Sequence, residues 1–274
     1  MKNTVLTFRE AKGREKLVML TAYDFSTAKI MDRAGVNALL VGDSLGNVML
    51  GHKNTLSVTL EDMLRHCAAV ARASENALVV CDLPFMSYRV SREEAMRSGM
   101  RLLAEGMAQA VKLEGGADFC PVVRELTKAS IPVMGHIGLT PQSVHAMGGF
   151  RLQGKTLTQA QIILDDARAL EEAGAFALVL ECVPAVLGQR ITREVGIPVI
   201  GIGAGPGCDG QVLVWQDMLG LTDNPAKFVK VFSEMGQAMA AAFAAYAGEV
   251  RAGVFPGMEN SYGALDEADF EGLR

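Results

Sequence analysis

The sequence predicts an α/β fold, a single (β/α)8 TIM barrel, and three observations carry that prediction. Short apolar runs recur along the chain, most of them end in Gly, Asp, Glu or His, and helical stretches rich in Ala, Leu, Arg and Glu follow. Runs this short and this apolar fit strands buried on both faces, as in a parallel sheet. Alternating strands and helices with right-handed crossovers give α/β topology. Seven or eight such units in 274 residues favour a closed barrel over a doubly wound sheet.

The strand candidates are Val18–Asp24, Ala38–Ser44, Leu78–Pro84, Ala110–Gly115, Val133–Leu139, Leu178–Pro184 and Val199–Gly205. An eighth, Gln211–Val214, leads toward Leu219–Leu221. Between them lie helix candidates. Ser26–Ala34 closes at Gly35 and Thr158–Ala173 at Gly174, both natural C′ residues. Leu60–Ala73 follows Thr59 and Arg92–Glu105 follows Ser91, both N-cap types. After Pro225 the Ala- and Met-rich stretch Phe228–Val250 predicts a further helix, and an irregular tail is expected from about Gly253 to Arg274. No linker separates two composition classes, so residues 1–274 are expected to form one domain.

Net charge is −5 with both signs interspersed. No run of Lys or Arg could release counterions from a polyanion, so the expected partner is a small molecule, neither nucleic acid nor membrane. Cys67, Cys81, Cys120, Cys182 and Cys208 form no CxxC pair, which fits free thiols in a reducing compartment. The segment from Lys2 to Lys16 is densely charged, unlike a secretory signal, and no stretch reaches the ~20 apolar residues needed to cross a bilayer. A soluble, cytoplasmic protein is expected.

In a barrel, chemistry sits at the C-terminal ends of the strands. Here those ends carry Asp24, Asp43 with Ser44, Asp82, Lys112 with Glu114, His136 and Glu181, then the run Gly201–Gly205. Asp43 and Asp82 end consecutive strands, where two carboxylates repel unless a cation or proton lies between them. A hard cation that keeps part of its water shell suits such a pair, as Mg²⁺ does; the alternative is that each Asp caps a helix or salt-bridges on the rim. Lys112 and Glu114 alternate on one strand and share a face, either as a ligand site or as a buried structural ion pair. His136 between Gly135 and Gly138 is a ligand or a hydrogen-bonded core residue; His52, His66 and His145 have weaker claims. Glu181 follows Leu178-Val179-Leu180, so it is partly desolvated and suits a general base, or else it makes a rim salt bridge. Gly201-Ile202-Gly203-Ala204-Gly205 is neither a Walker loop nor GxGxxG; its small residues leave space for a flat ligand or allow close packing.

The longer motifs go further. Val41-Gly42-Asp43-Ser44-Leu45-Gly46, Asp82-Leu83-Pro84-Phe85-Met86, Val111-Lys112-Leu113-Glu114-Gly115-Gly116, Gly135-His136-Ile137-Gly138-Leu139-Thr140-Pro141-Gln142, Gly148-Gly149-Phe150-Arg151-Leu152-Gln153-Gly154 and Glu181-Cys182-Val183-Pro184 occur in order between about Leu20 and Pro256. Together they resemble the ketopantoate hydroxymethyltransferase family, of the pyruvate/phosphoenolpyruvate barrel superfamily; Gly257–Arg274 matches little. The resemblance implies Mg²⁺ bound by Asp43 and Asp82, with Glu114 holding a metal-bound water. It implies a 2-oxo acid surrounded by Asp43, Ser44, Asp82, Lys112 and His136, with Glu181 as the base. It also implies 5,10-methylenetetrahydrofolate as cosubstrate and a homo-oligomer, commonly a decamer. The implied reaction passes a hydroxymethyl group to 3-methyl-2-oxobutanoate through a Mg-stabilised enolate, giving 2-dehydropantoate for pantothenate and coenzyme A synthesis. The rival readings are a lyase or mutase of the same superfamily, whose KKCGH-type loop is absent here, and a non-catalytic metabolite-binding scaffold.

Overall fold

The computed structural model describes residues 2–263 and 267–271. Eight parallel strands close into a barrel in chain order: β1 Leu17–Thr21, β2 Ala38–Val41, β3 Leu78–Asp82, β4 Ala110–Glu114, β5 Val133–Gly138, β6 Ala177–Glu181, β7 Val199–Ile202 and β8 Gly210–Leu213. Closure is by β8 on β1, with Leu17 opposite Gly210. The helices are α1 Val5–Glu10, α2 Phe25–Arg33, α3 Leu45–Val48, α4 Leu60–Ala73, α5 Arg92–Ala104, α6 Cys120–Lys128, α7 Leu157–Glu172, α8 Ala185–Glu194, α9 Trp215–Met218 and α10 Met235–Arg251.

Helix starts follow the cap chemistry. Thr59 and Asp62 form a reciprocal capping box at α4, and Ser91 and Thr156 accept from the third backbone N–H of α5 and α7. Each such cap contributes about 1 kcal/mol. The strands are shorter than the apolar runs, because the loops at the barrel mouth are themselves buried and apolar: Ala22 and Tyr23 follow β1 at 1 % exposure or less. Asp24 therefore is no strand-end group. It is the N-cap of α2, accepting from the Thr27 N–H at 2.9 Å.

Side chains alternate across each strand. One set (Leu39, Val41, Val79, Cys81, Val111, Leu113, Leu178, Leu180) packs outward beneath the helices. The other set (Met19, Leu40, Leu78, Val80, Ala110, Met134, Ala177, Val179, Ile200) fills the barrel interior. The bottom is plugged by α1, whose Phe8 is fully buried edge-on against Phe176 at 6.0 Å. Lys12, just beyond α1, is tied to Asp209 at 2.7 Å.

The helix expected over Phe228–Val250 starts only at Met235. The N–H groups of Phe232 and Met235 go to the carbonyls of Met218 and Leu219 in and after α9, so that stretch crosses the barrel mouth as loop. Helix α10 has no buried residue. Beyond it lie turns and the short 3-10 helices Met258–Asn260 and Glu267–Phe270. Residues 264–266 and 272–274 of the expected tail fall outside the described residues. Among the described residues, no helix is long and apolar enough to cross a membrane.

Candidate active site

Following the inward set up each strand shows where the site comes from. On β3 the inward series is Leu78, Val80, Asp82; on β4 Ala110, Lys112, Glu114; on β5 Met134, His136; on β6 Ala177, Val179, Glu181. Each series is apolar low in the barrel and turns titratable near the C-terminal end. The two-residue period of a strand thus delivers Asp82, Lys112, Glu114, His136 and Glu181 into one chamber. Strand β2 ends differently. Gly42 carries no side chain, and a Cβ there would lie 3.5 Å from Asp82 Oδ2. The Asp43 N–H donates to that oxygen at 3.1 Å. Asp43 and Ser44 enter from the turn leading into α3.

Seven of the sequence-predicted groups meet in a cavity of about 210 Å³: Asp43, Ser44, Asp82, Lys112, Glu114, His136 and Glu181 line it, joined by Ile202 alone from the run Gly201–Gly205, while Asp24 stays outside as the cap of α2. Asp43, Asp82, Lys112, Glu114 and His136 are all less than 5 % exposed. Neither Asp43 nor Asp82 caps a helix: the first residue before α3 is Ser44, and its side chain makes no cap bond.

Lys112 does not pair with Glu114, as a structural Lys–Glu pair would. Its Nζ lies 3.1 Å from Asp82 Oδ1 and 3.1 Å from His136 Nδ1. Glu114 approaches His136 Nδ1 at 3.5 Å, and the other imidazole nitrogen lies 3.3 Å from Glu181 Oε2. His136 is therefore a hub between both carboxylates and the ammonium. Its flanking glycines serve backbone packing: at Gly138, with φ +88°, a Cβ would sit 2.3 Å from the Glu181 carbonyl oxygen. Only a residue without a Cβ brings β5 this close to β6 with that backbone conformation.

Electrostatically the chamber is short of positive charge. Burial, then the neighbouring Asp82 and Glu114, push the Asp43 carboxyl well above the ordinary range. Burial raises Asp82 too, opposed by Lys112. For Glu114 burial is outweighed by His136 and Lys112, which hold it below the usual carboxylate range. Burial opposes charge on Lys112, but Asp82, Glu114 and Asp43 keep its ammonium above the usual lysine range. Burial and Lys112 push His136 down, and Glu114 and Glu181 more than offset them. Adjacent buried carboxylates of this kind invite a cation. Among the described residues, no three His, Cys, Asp or Glu side chains are arranged to hold a metal directly. The donor set fits an oxygen-seeking ion that takes two carboxylates and completes its shell with water and substrate oxygens, as Mg²⁺ does.

Several site residues have no role assignable from the sequence, although Gln142 and Phe150 lie within its longer motifs. Gln142, 3 % exposed, donates its carboxamide to Asp43 Oδ2 at 2.8 Å and to the Leu83 carbonyl at 2.9 Å. Its backbone N–H donates to Glu114 Oε2 at 2.9 Å. Tyr88 donates to the Gln142 carboxamide oxygen at 2.7 Å and accepts from the Glu114 N–H at 3.2 Å. Tyr23 OH meets Ser44 Oγ at 2.8 Å. His66 only reaches the Tyr23 carbonyl at 2.5 Å, from α4 and away from the chamber. Over the mouth lie Phe150 and Phe228, both lining the cavity.

The comparisons with known proteins agree with this architecture and sharpen it. The pattern of the ketopantoate hydroxymethyltransferase family matches residues 2–258. A 3-methyl-2-oxobutanoate hydroxymethyltransferase of Enterococcus faecalis is 57 % identical over 269 residues, covering 97 % of this chain and 98 % of that one. Another, of Clostridium novyi, is 56 % identical across the whole of both chains. A solved structure of 2,3-dimethylmalate lyase, a PEP mutase/isocitrate lyase superfamily member, superposes with a TM-score of 0.59 at 17 % identity, covering 96 % of this chain and 93 % of that one; it shares the fold. With the family pattern matched over residues 2–258 and relatives more than half identical along nearly the whole chain, the chain belongs to the ketopantoate hydroxymethyltransferase family.

Proposed function

We propose that the chain transfers a hydroxymethyl group from 5,10-methylenetetrahydrofolate to 3-methyl-2-oxobutanoate, giving 2-dehydropantoate for pantothenate and coenzyme A biosynthesis. The observation that carries this reading is the convergence of Asp43, Asp82, Lys112 and Glu181 on one small chamber in a member of this family. A chamber of about 210 Å³ suits a five-carbon oxo acid and a hydrated ion.

Asp43 and Asp82 would hold Mg²⁺, and Glu114 would hold one of its waters. When bound, the ion polarises the keto group of the acid and stabilises negative charge on its oxygen. Lys112, kept charged by its carboxylate neighbours, and the Ser44 hydroxyl, oriented by Tyr23, fix the acid's carboxylate. Glu181 takes the C3 proton, and the electron pair of that C–H bond becomes the enolate. Its neighbour His136, at 3.3 Å, orients the carboxylate and shares the proton. The enolate carbon then bonds to a formaldehyde equivalent, formed from the folate methylene and one water, and the new alkoxide takes back a proton from Glu181. Phe150 and Phe228 limit water at the mouth, which slows reprotonation of the enolate before the donor reacts.

The protein works in the cytoplasm as a homo-oligomer, a decamer in keeping with its family. One face of α10 supports assembly: Met239, Phe243, Tyr246 and Val250 recur at helical spacing and are all at least 40 % exposed. The direct test is incubation with 3-methyl-2-oxobutanoate, Mg²⁺ and 5,10-methylenetetrahydrofolate labelled with ¹³C at the methylene carbon. A ¹³C hydroxymethyl signal of 2-dehydropantoate is expected; consumption of neither substrate would overturn the proposal.

A further inference from the structure

The small chamber opens beside a second, larger groove of about 750 Å³. The two share Phe150, Glu181 and Phe228, so whatever fills the groove presents one end to the catalytic carboxylate. Cys182, Arg151 and Lys227 are among its other lining residues.

Its shape and charge define an occupant. Phe150 and Phe228 leave 59 % and 37 % of their surface uncovered. Gly203 and Gly205, without side chains, line the groove beside them. At Gly203, with φ +64°, a Cβ would lie 2.8 Å from the Phe228 ring, so glycine there is what lets the ring settle over the mouth. Two partly uncovered aromatic rings beside a stretch of bare backbone suit a flat ring. Arg151 and Lys227 are exposed and make no ion pair among the described residues, in a chain whose net charge is −5. Free cations at an apolar slot complement carboxylates on the occupant's tail. The volume lies within the roughly 300–1,000 Å³ of ordinary ligand pockets, whereas the chamber beside it is too small for a bicyclic donor and an oxo acid together.

We propose that this groove is the donor site: it takes a reduced pterin-type bicycle against Phe150 and Phe228, with the anionic tail on Arg151 and Lys227 and the one-carbon unit facing Glu181. The assignment rests on the hydroxymethyl-transfer reading above, and it places the donor on the β6–β7 side of the mouth.

Two measurements on the full chain test it. In Arg151→Ala/Lys227→Ala the KM for 5,10-methylenetetrahydrofolate should rise at least tenfold, with the KM for 3-methyl-2-oxobutanoate changed less than threefold. The wild-type preference for this donor over 5,10-methylenetetrahydropteroate, which lacks the glutamate tail, should vanish in the same variant. Separately, tetrahydrofolate should slow alkylation of half-buried Cys182 by iodoacetamide at least fivefold, followed by peptide mass spectrometry. Unchanged donor KM together with unprotected Cys182 would overturn the donor site while leaving the function intact. If the wild type forms no product, the functional reading fails, and the alkylation result alone then decides whether the groove takes a pterin.

Discussion

The Gln142 carboxamide donates to Asp43 Oδ2 at 2.8 Å across a sequence separation of 99 residues. The same residue's backbone N–H holds Glu114, so one glutamine fixes two of the three carboxylates around the candidate cation site. Its amide orientation is set by its partners: two acceptors face the nitrogen, and the Tyr88 hydroxyl faces the oxygen.

Gln142→Ala should therefore weaken Mg²⁺ binding about 10–100-fold, the usual effect of losing a group that orients a metal ligand. Isothermal titration of the protein with Mg²⁺ measures this without turnover. The variant should also lose about 1–3 kcal/mol of stability, because Tyr88 and the Leu83 carbonyl lose a buried partner. Unaltered affinity would make Gln142 a packing residue only.

Asp43→Asn separates stability from function. Burial beside Asp82 and Glu114 makes the Asp43 carboxylate costly in the metal-free protein. Neutralising it should raise the metal-free Tm by a few degrees, on the order of 1 kcal/mol for a chain of this size. Mg²⁺ should no longer add thermal stability, and activity should fall below detection. Differential scanning calorimetry with and without Mg²⁺ reads both effects. Treating the wild type with EDTA should likewise abolish activity and lower its Tm, and added Mg²⁺ should restore both.

Asp32 predicts a pH dependence unrelated to catalysis. It accepts from the N–H groups of Asn76 at 2.9 Å and Ala77 at 2.7 Å, pinning the loop before β3 to α2. Burial raises its pKa, but the Ala77 and Asn76 hydrogen bonds outweigh this and leave it below the usual carboxylate value. A depressed folded-state pKa stabilises the fold above the unfolded pKa of about 3.9 and loses that contribution as pH falls through the folded value. Asp32→Asn should cost about 1–3 kcal/mol at pH 7. The gap from wild type should close as pH drops below about 4 in denaturant titrations.

The barrel bottom should affect stability alone. Phe8→Ala empties the plug against Phe176 and should cost about 3–5 kcal/mol. In protein that remains folded, kcat/KM should stay within about twofold, since the ring lies at the opposite end of the barrel from Glu181.

Much of this arrangement is legible in the sequence, because strand periodicity is simple. Lys112 and Glu114 share a face by counting, and the apolar runs mark all eight strands and the ends on which chemistry stands. Loops are where that logic stops. The run Val18–Asp24 does not reveal that the strand ends at Thr21 and that Asp24 caps a helix, since buried loop residues are as apolar as strand residues. Phe228 reads as part of a helix, but the hydrogen bonds of Phe232 and Met235 to the α9 region draw that stretch across the mouth as loop. Gln142 and Tyr88 are neutral, carry no period and act across long separations, so the closed barrel alone brings them to Asp43 and Glu114.

Glu181 as the base is tested most directly by proton exchange at C3 of 3-methyl-2-oxobutanoate in deuterium oxide, with Mg²⁺ and without folate, followed by NMR. Exchange is expected to require the metal and to fall by at least about 10² in Glu181→Gln, in line with loss of a general base. Exchange that persists in that variant would contradict that role, because some group other than Glu181 would then be removing the proton.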